Sequence, residues 1–167
     1  MGCLGVHFAL TENEVAKLRA LESDADQLAY LMEELEEDYF AHHSSFMAQS
    51  DKAWDAMHRS LSDGQLSYTA GPHPERLAAI GGEPLYAEDD YIMSLKTPAE
   101  VKAVAEALAR ITREDFRRRY DAMDAVAYGC PKNDDDFNYT WEWFGGVAAL
   151  FQQAAKHGRY VLFSADQ

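Results

Sequence analysis

Residues 51–64 read DKAWDAMHRSLSDG, and the predicted fold is organised around this stretch. Trp54, Met57, His58 and Leu61 recur at i, i+3, i+4 and i+7, the spacing of one helical face, while Lys52, Asp55, Arg59 and Ser62 take the other side. Ser50 or Asp51 is placed to cap the start by accepting orphan backbone N–H bonds. Asp63-Gly64 stops the helix, because glycine enters the left-handed region without a Cβ clash. An indole beside a titratable imidazole on an apolar stripe is the most suggestive local chemistry in the chain. A single histidine on such a face is more often a hydrogen-bonded core residue than an acid-base catalyst, so His58 carries both readings.

Outward from this helix, three strands are predicted. Leu4, Val6 and Phe8 alternate with Gly5, His7 and Ala9, the period of a half-buried strand. Within residues 85–95, Tyr91, Met93 and Leu95 alternate with Ile92 and Ser94, and the acidic turn Glu88-Asp89-Asp90 introduces them. YVLFS at 160–164 reads as a near-continuous apolar strand. Helices fill the intervals. Thr11 and Glu14 form a capping box before Val15, Leu18 and Leu21. Ser23 opens a helix from Asp24 to about Phe40, with Leu28, Leu31, Met32, Leu35, Tyr39 and Phe40 at its apolar period.

Past the central loop, Pro74 begins a short helix through Leu77 and Ile80 that Gly81-Gly82 ends. Thr97-Pro98-Ala99-Glu100 is the clearest helix start, followed by Val101, Val104, Ala105, Leu108 and Ile111. Thr112 caps a helix carrying Phe116 and Tyr120. The acidic run at 134–136 opens a last long helix with Phe137, Trp141, Phe144, Ala148 and Phe151, broadened by Tyr139, Trp143 and Val147, so burial on more than one side is expected. Gly145-Gly146 inside it costs roughly 1 kcal/mol per glycine against alanine and is expected to permit close backbone packing. The expected architecture is one helix-rich α+β domain over residues 1–167. A small central sheet holds both chain termini and helices cover it.

Composition bounds the function. Across 167 residues the net charge is -14, which disfavours nucleic acid and anionic membrane, since phosphate binding needs a basic surface. No apolar run approaches the roughly 20 residues that span a bilayer. The N-terminus lacks a basic n-region, and Val6 stands where a myristoylation motif needs Ser or Thr. Cys3 and Cys130 lie outside any metal-type spacing and read as reduced thiols, which suits the cytoplasm. No metal or cofactor is expected: His42-His43 lack a partner at ligand spacing, Gly81-Gly82 lack the rest of a nucleotide fingerprint, and no nucleophile elbow, HExxH or Walker loop occurs.

Two charge features remain. Residues 22–38 hold eight acidic side chains and no Lys or Arg, with Glu33, Glu36 and Glu37 marking a face that is either hydrated or covered by a basic partner. Arg113, Arg117, Arg118 and Arg119 form the basic island. Arg113 and Arg117 could grip an anionic ligand, or the cluster could face the acidic helix within one molecule or between subunits; the second is favoured.

MGCLGVHFAL at the start, DKAWDAMHRSLSDG, the block from AAIGGEPLYAEDDYIMSL to REDFRRRYDAM, and FQQAAKHGRYVLFS at the end together resemble the YfbM-like bacterial proteins, a domain-of-unknown-function family. The resemblance spans nearly the whole chain in order; the acidic second helix and the HHSS loop depart from it. It implies a compact, mostly helical α+β domain and brings no catalytic residues. The residues support two classes of function. The favoured one is a protein-interaction module whose acidic surface binds a basic partner, in the manner of immunity proteins. The other is a small enzyme or ligand-binding domain with a pocket of Trp54, His58, Gly81, Gly82 and Tyr91, in which His58 is the acid-base candidate.

Overall fold

The strand Gly5–Leu10 is buried at every position, so both of its faces are covered and the expected half-buried strand is corrected. The structure, a computed structural model, describes residues 4–86 and 90–166. Five strands, β1 (Gly5–Leu10), β2 (Met47–Asp51), β3 (Glu83–Tyr86), β4 (Tyr91–Lys96) and β5 (Tyr160–Asp166), form one sheet in the order β2-β1-β5-β4-β3. Every neighbouring pair is antiparallel. The last strand lies between the first and the fourth: Gly5 faces Ala165 and Leu10 faces Tyr160 on one side, while Tyr91 faces Asp166 on the other. Both ends of the chain thus meet in the middle of the sheet, as the α+β reading expects.

The helices are α1 (Glu12–Ala20), α2 (Asp24–Tyr30), α3 (Glu36–His42), α4 (Trp54–Leu61), α5 (Pro98–Leu108), α6 (Arg113–Asp121), α7 (Ala125–Tyr128) and α8 (Asp134–Lys156). Capping boxes at Thr11, Thr97 and Thr112 are all formed. The period of two then sorts the strand side chains into layers. Val6, Phe8, Leu10, Met93, Leu95 and Leu162 point to a core shared with α1, α2 and α3. Ala9 and Val161 point the opposite way, into the core of α4, α5, α6 and α8, and Phe163, Ala165 and Ile92 meet Trp54 on that same side. The result is helix on sheet on helix.

Several local expectations change. The stretch from 24 to 42 is one helical run interrupted by a π segment, Leu31–Leu35, whose wider turn re-aims the helix C-terminal to it. Leu31, Leu35 and Tyr39 are buried, whereas Met32 and Phe40 are 51% and 49% exposed. The Tyr39 hydroxyl sits 2.9 Å from the Ala9 carbonyl and 2.8 Å from the Glu14 carboxylate, pinning the run to β1 and α1. Two strands are additional, both at the edges: β2 occupies residues expected as loop and helix start, and β3 carries Pro84, which an edge strand tolerates. Asp51, expected as a helix cap, ends β2 at a φ of 45°, and α4 begins at Trp54 without a side-chain cap. The turn residues Glu88 and Asp89, like Cys3, lie outside the described residues; Asp90 accepts from the Tyr86 hydroxyl at 3.2 Å. Gly145 and Gly146 do not serve close packing, since a Cβ at either would meet nothing within 4 Å. Among the described residues, no helix is long and apolar enough to cross a membrane.

Phe163 is fully buried on the central strand and its ring touches His7 (4.8 Å) and Trp54 (5.7 Å). Phe163→Ala is expected to cost about 3–5 kcal/mol, through lost burial plus the cavity left behind, and urea unfolding reads this directly.

Candidate functional site

The five residues of the expected pocket do not converge, because strand parity puts the sheet between them. Trp54 and His58 are buried on the α4 side, where Trp54 packs with Ile80, Ile92 and Phe163. Tyr91 is one residue out of phase with Ile92 and faces the opposite layer, its hydroxyl 3.5 Å from Glu36. Gly81 and Gly82 are occupied by the protein's own backbone: a Cβ at Gly81 would stand 2.5 Å from the Arg76 carbonyl, and one at Gly82, whose φ is +105°, 2.6 Å from that of Leu95. The His58 Nε2–H donates to the Ser67 carbonyl at 2.8 Å. Burial pushes its pKa down to about 4, so the ring is neutral at neutral pH and closed off from solvent.

A polar cluster that the sequence reading missed lies nearby. Lys96 is fully buried on β4, and its Nζ donates to the Ala79 carbonyl, to Ser94 Oγ at 2.7 Å and to the Ser94 carbonyl at 3.3 Å. The ammonium also sits 5.5 Å from the centre of the Phe163 ring. His7, equally buried on β1, donates from Nε2 to the Ala78 carbonyl at 2.7 Å. Burial drives the Lys96 pKa well below its ordinary value, with distant Glu100 opposing, and takes His7 down to about 3 with help from Lys96. The signal was present in the strand alternation, since Lys96 follows Ile92 and Ser94 on the face that points inward. Such a cluster clamps Ala78 and Ala79, the end of the 3-10 turn Glu75–Ala78, onto the sheet.

The charged surfaces separate in space. Arg117 pairs with Asp121 at 3.0 Å and Asp134 at 2.7 Å, Arg118 with Asp115, and Arg119 with Glu75 at 3.8 Å. Arg113 donates to Asn138, and the guanidinium groups of Arg113 and Arg117 both lie over Phe137. The basic island is therefore matched by carboxylates of α6, α8 and the 3-10 turn, not by the acidic helix as expected within one molecule. Arg113 and Arg117 do come together, but Arg117 already holds two carboxylates. On the acidic run, Lys17 pairs with Glu34 at 2.5 Å and His43 lies 3.3 Å from Asp38. Among the described residues, no Lys or Arg reaches Glu33, Glu36 or Glu37; Glu36 is half-buried and burial raises its pKa.

A groove of about 670 Å³ opens elsewhere, lined by Phe40 and Ser44, by Met47, Ala48 and Gln49 of β2, and by Tyr139, Glu142, Trp143 and Gly146 of α8. Tyr139 and Trp143, expected to widen a buried helix face, are half-buried: Trp143 packs on the α8-side core and Tyr139 donates to Asp51, and both also line this groove.

The buried basic groups set the pH response. Both histidines have folded pKa values below the ordinary 6.5, so their contribution to stability is complete above pH 6.5 and is lost as pH falls toward about 4 for His58 and about 3 for His7. Each is expected to cost on the order of 1 kcal/mol per pH unit across its window, readable as the pH dependence of the urea midpoint. Lys96→Met is expected to stabilise the fold by about 1–4 kcal/mol at pH 7, because it removes a buried amine whose protonation burial opposes and which no carboxylate pairs among the described residues. Ser94 Oγ still donates to Ala79 at 3.2 Å, and the gain shrinks as pH rises toward 10.5.

No curated protein matches the chain. Its fold is similar to that of YfbM from Escherichia coli, a protein of unknown function known from its crystal structure, with a TM-score of 0.65 over 97% of this chain and 99% of that one, at 16% identity. Residues 1–164 match the family described as a domain of unknown function, DUF1877. With that match running almost end to end, on a helix-covered sheet joining first strand to last, the chain belongs to the DUF1877 family.

Proposed function

We propose that the protein is an interaction module that recognises a basic protein partner through its acidic surface, in an immunity-like mode. One observation carries this reading: the arginines able to neutralise the acidic helix are spent on other carboxylates, while Glu33 and Glu37 stand exposed one turn apart without a cation of the described chain beside them. Like charges at i and i+4 repel, and a basic surface docked over them relieves that repulsion while steering encounter. The net charge of -14 works in the same direction and argues against nucleic acid and anionic membrane. The exposed free thiol of Cys130 fits a reducing compartment, so we place the protein in the cytoplasm. No observation favours the enzyme alternative, because the sheet separates Tyr91 from Trp54 and His58.

The test neutralises the face without touching the fold. Glu33→Gln/Glu37→Gln is expected to raise stability by a few tenths of a kcal/mol, since it removes a repulsive pair. Capture from an extract of the source cell should recover a basic protein that is lost at high salt and is depleted about tenfold by the double variant. Equal recovery by the variant and the parent overturns the reading.

A further inference from the structure

The groove between α3, β2 and α8 lies at an edge of the sheet. Met47 packs toward the α1–α3 layer and Ala48 toward the α8 layer, yet both line the same cavity. A cavity over one sheet face would collect alternate residues of a strand; one that collects consecutive residues runs along its edge. Its walls agree. Phe40 comes from the helix covering one face, and Tyr139, Trp143 and Gly146 come from the helix covering the other. The space between them is where a strand beyond β2 would lie.

β2 is an edge strand of five residues with β1 as its one neighbour. In an antiparallel ladder only some of its backbone N–H and C=O groups face that neighbour, and the rest point outward. Among the described residues, no backbone hydrogen bond outside the ladder engages Met47, Ala48 or Gln49. Natural edges are blunted by charge, proline, a bulge or a covering segment; in β2 the charge of Asp51 and the bulge at Ser50 fall at one end, and MAQ carries neither charge nor proline. Two further features mark the groove, beside the bond that Tyr139 donates to Asp51 and the packing of Trp143 on the α8-side core. Phe40, Tyr139 and Trp143 are large rings left partly or largely exposed at the same groove. Gly146 sits in mid-helix at a cost of about 1 kcal/mol against alanine, with open space where its Cβ would be.

We propose that the outer edge of β2 receives an extended segment of the protein partner as a sixth strand, with an apolar pair of side chains flanked by Lys or Arg. One apolar side chain of the pair packs on Phe40 and Met47. The next points the other way, onto Trp143 and the bare backbone at Gly146, where a side chain would block it. The flanking cations meet Glu142, the charged residue of the groove lining, and Glu37, one turn before Phe40 on α3. Main-chain bonds to β2 supply affinity and the alternating contacts supply selectivity, the logic of β-augmentation. The segment is short, on the order of 4–6 residues, to match the strand it joins. This inference deepens the interaction-module reading and rests on it for the partner's charge.

The probe is a randomised twelve-residue peptide library, selected on the full-length protein and titrated as purified peptides. Gly146→Leu fills the groove and Gly145→Leu is its control, since Gly145 has the same open space but lies outside the groove lining. Both replace a mid-helix glycine with a better helix former, so both variants should fold at least as stably as the parent. Enriched peptides are expected to carry an apolar pair flanked by Lys or Arg and to protect the amides of residues 47–49 from hydrogen exchange. Their affinity should fall at least about tenfold in Gly146→Leu and be unchanged in Gly145→Leu. Failure to enrich any peptide, equal binding by Gly146→Leu, or protection of α3 without β2 overturns the proposal. The two readings fail separately. Capture of the basic partner that is lost in Glu33→Gln/Glu37→Gln but intact in Gly146→Leu removes the strand site alone, whereas capture intact in both variants removes the acidic-surface reading as well.

Discussion

The pairing of β5 between β1 and β4 is the constraint on which the rest depends. It closes the chain on itself, since the ladder from Gly5–Ala165 to Leu10–Tyr160 joins the first strand to the last. Contacts of such separation are costly in loop entropy and are repaid only when both faces of the sheet are covered. They are covered here, by α1–α3 on one side and by α4–α6 with α8 on the other. Phe163, in the middle of the central strand, meets the aromatic and cationic groups of three other elements and makes the closure specific.

The interior this closure creates is polar at one spot. Lys96, His7 and Ser94 converge on the carbonyls of Ala78 and Ala79, and His58 holds the loop at Ser67 from the neighbouring helix. Each group has found acceptors, and none has a carboxylate within hydrogen-bonding distance among the described residues. Their chemistry is that of buried donors tying irregular segments to a regular sheet, which is why depressed pKa values here do not by themselves denote catalysis.

The proposed function rests on the outer surface. The arginines of α6 are matched by local carboxylates, leaving Glu33 and Glu37 of the acidic run without a Lys or Arg partner among the described residues, and Phe40, Tyr139 and Trp143 gather at the β2 edge of the sheet. Repulsive charge along a helix, bare glycine in mid-helix and exposed rings beside a free edge are each destabilising or hazardous to an isolated chain. They are the features on which the proposed interaction surface draws.

Sequence alone determined the helix starts, because Thr11, Thr97 and Thr112 with their acids three residues on act within a single turn. It determined the three inner strands and the meeting of the two termini for a related reason, since buried strands declare themselves through apolar periodicity. The edge strands escaped: MAQSD and EPLY are short and half-exposed, and such segments become strands only because a neighbour offers a ladder. Which side of the sheet a residue faces was legible locally, but that Tyr91 and Trp54 are thereby divided required knowing that the two belong to one sheet and its cover. The burial of Phe40, Tyr139 and Trp143 was overestimated on the same ground. Periodicity shows that a face is apolar, and only tertiary structure decides whether anything within the chain is there to cover it.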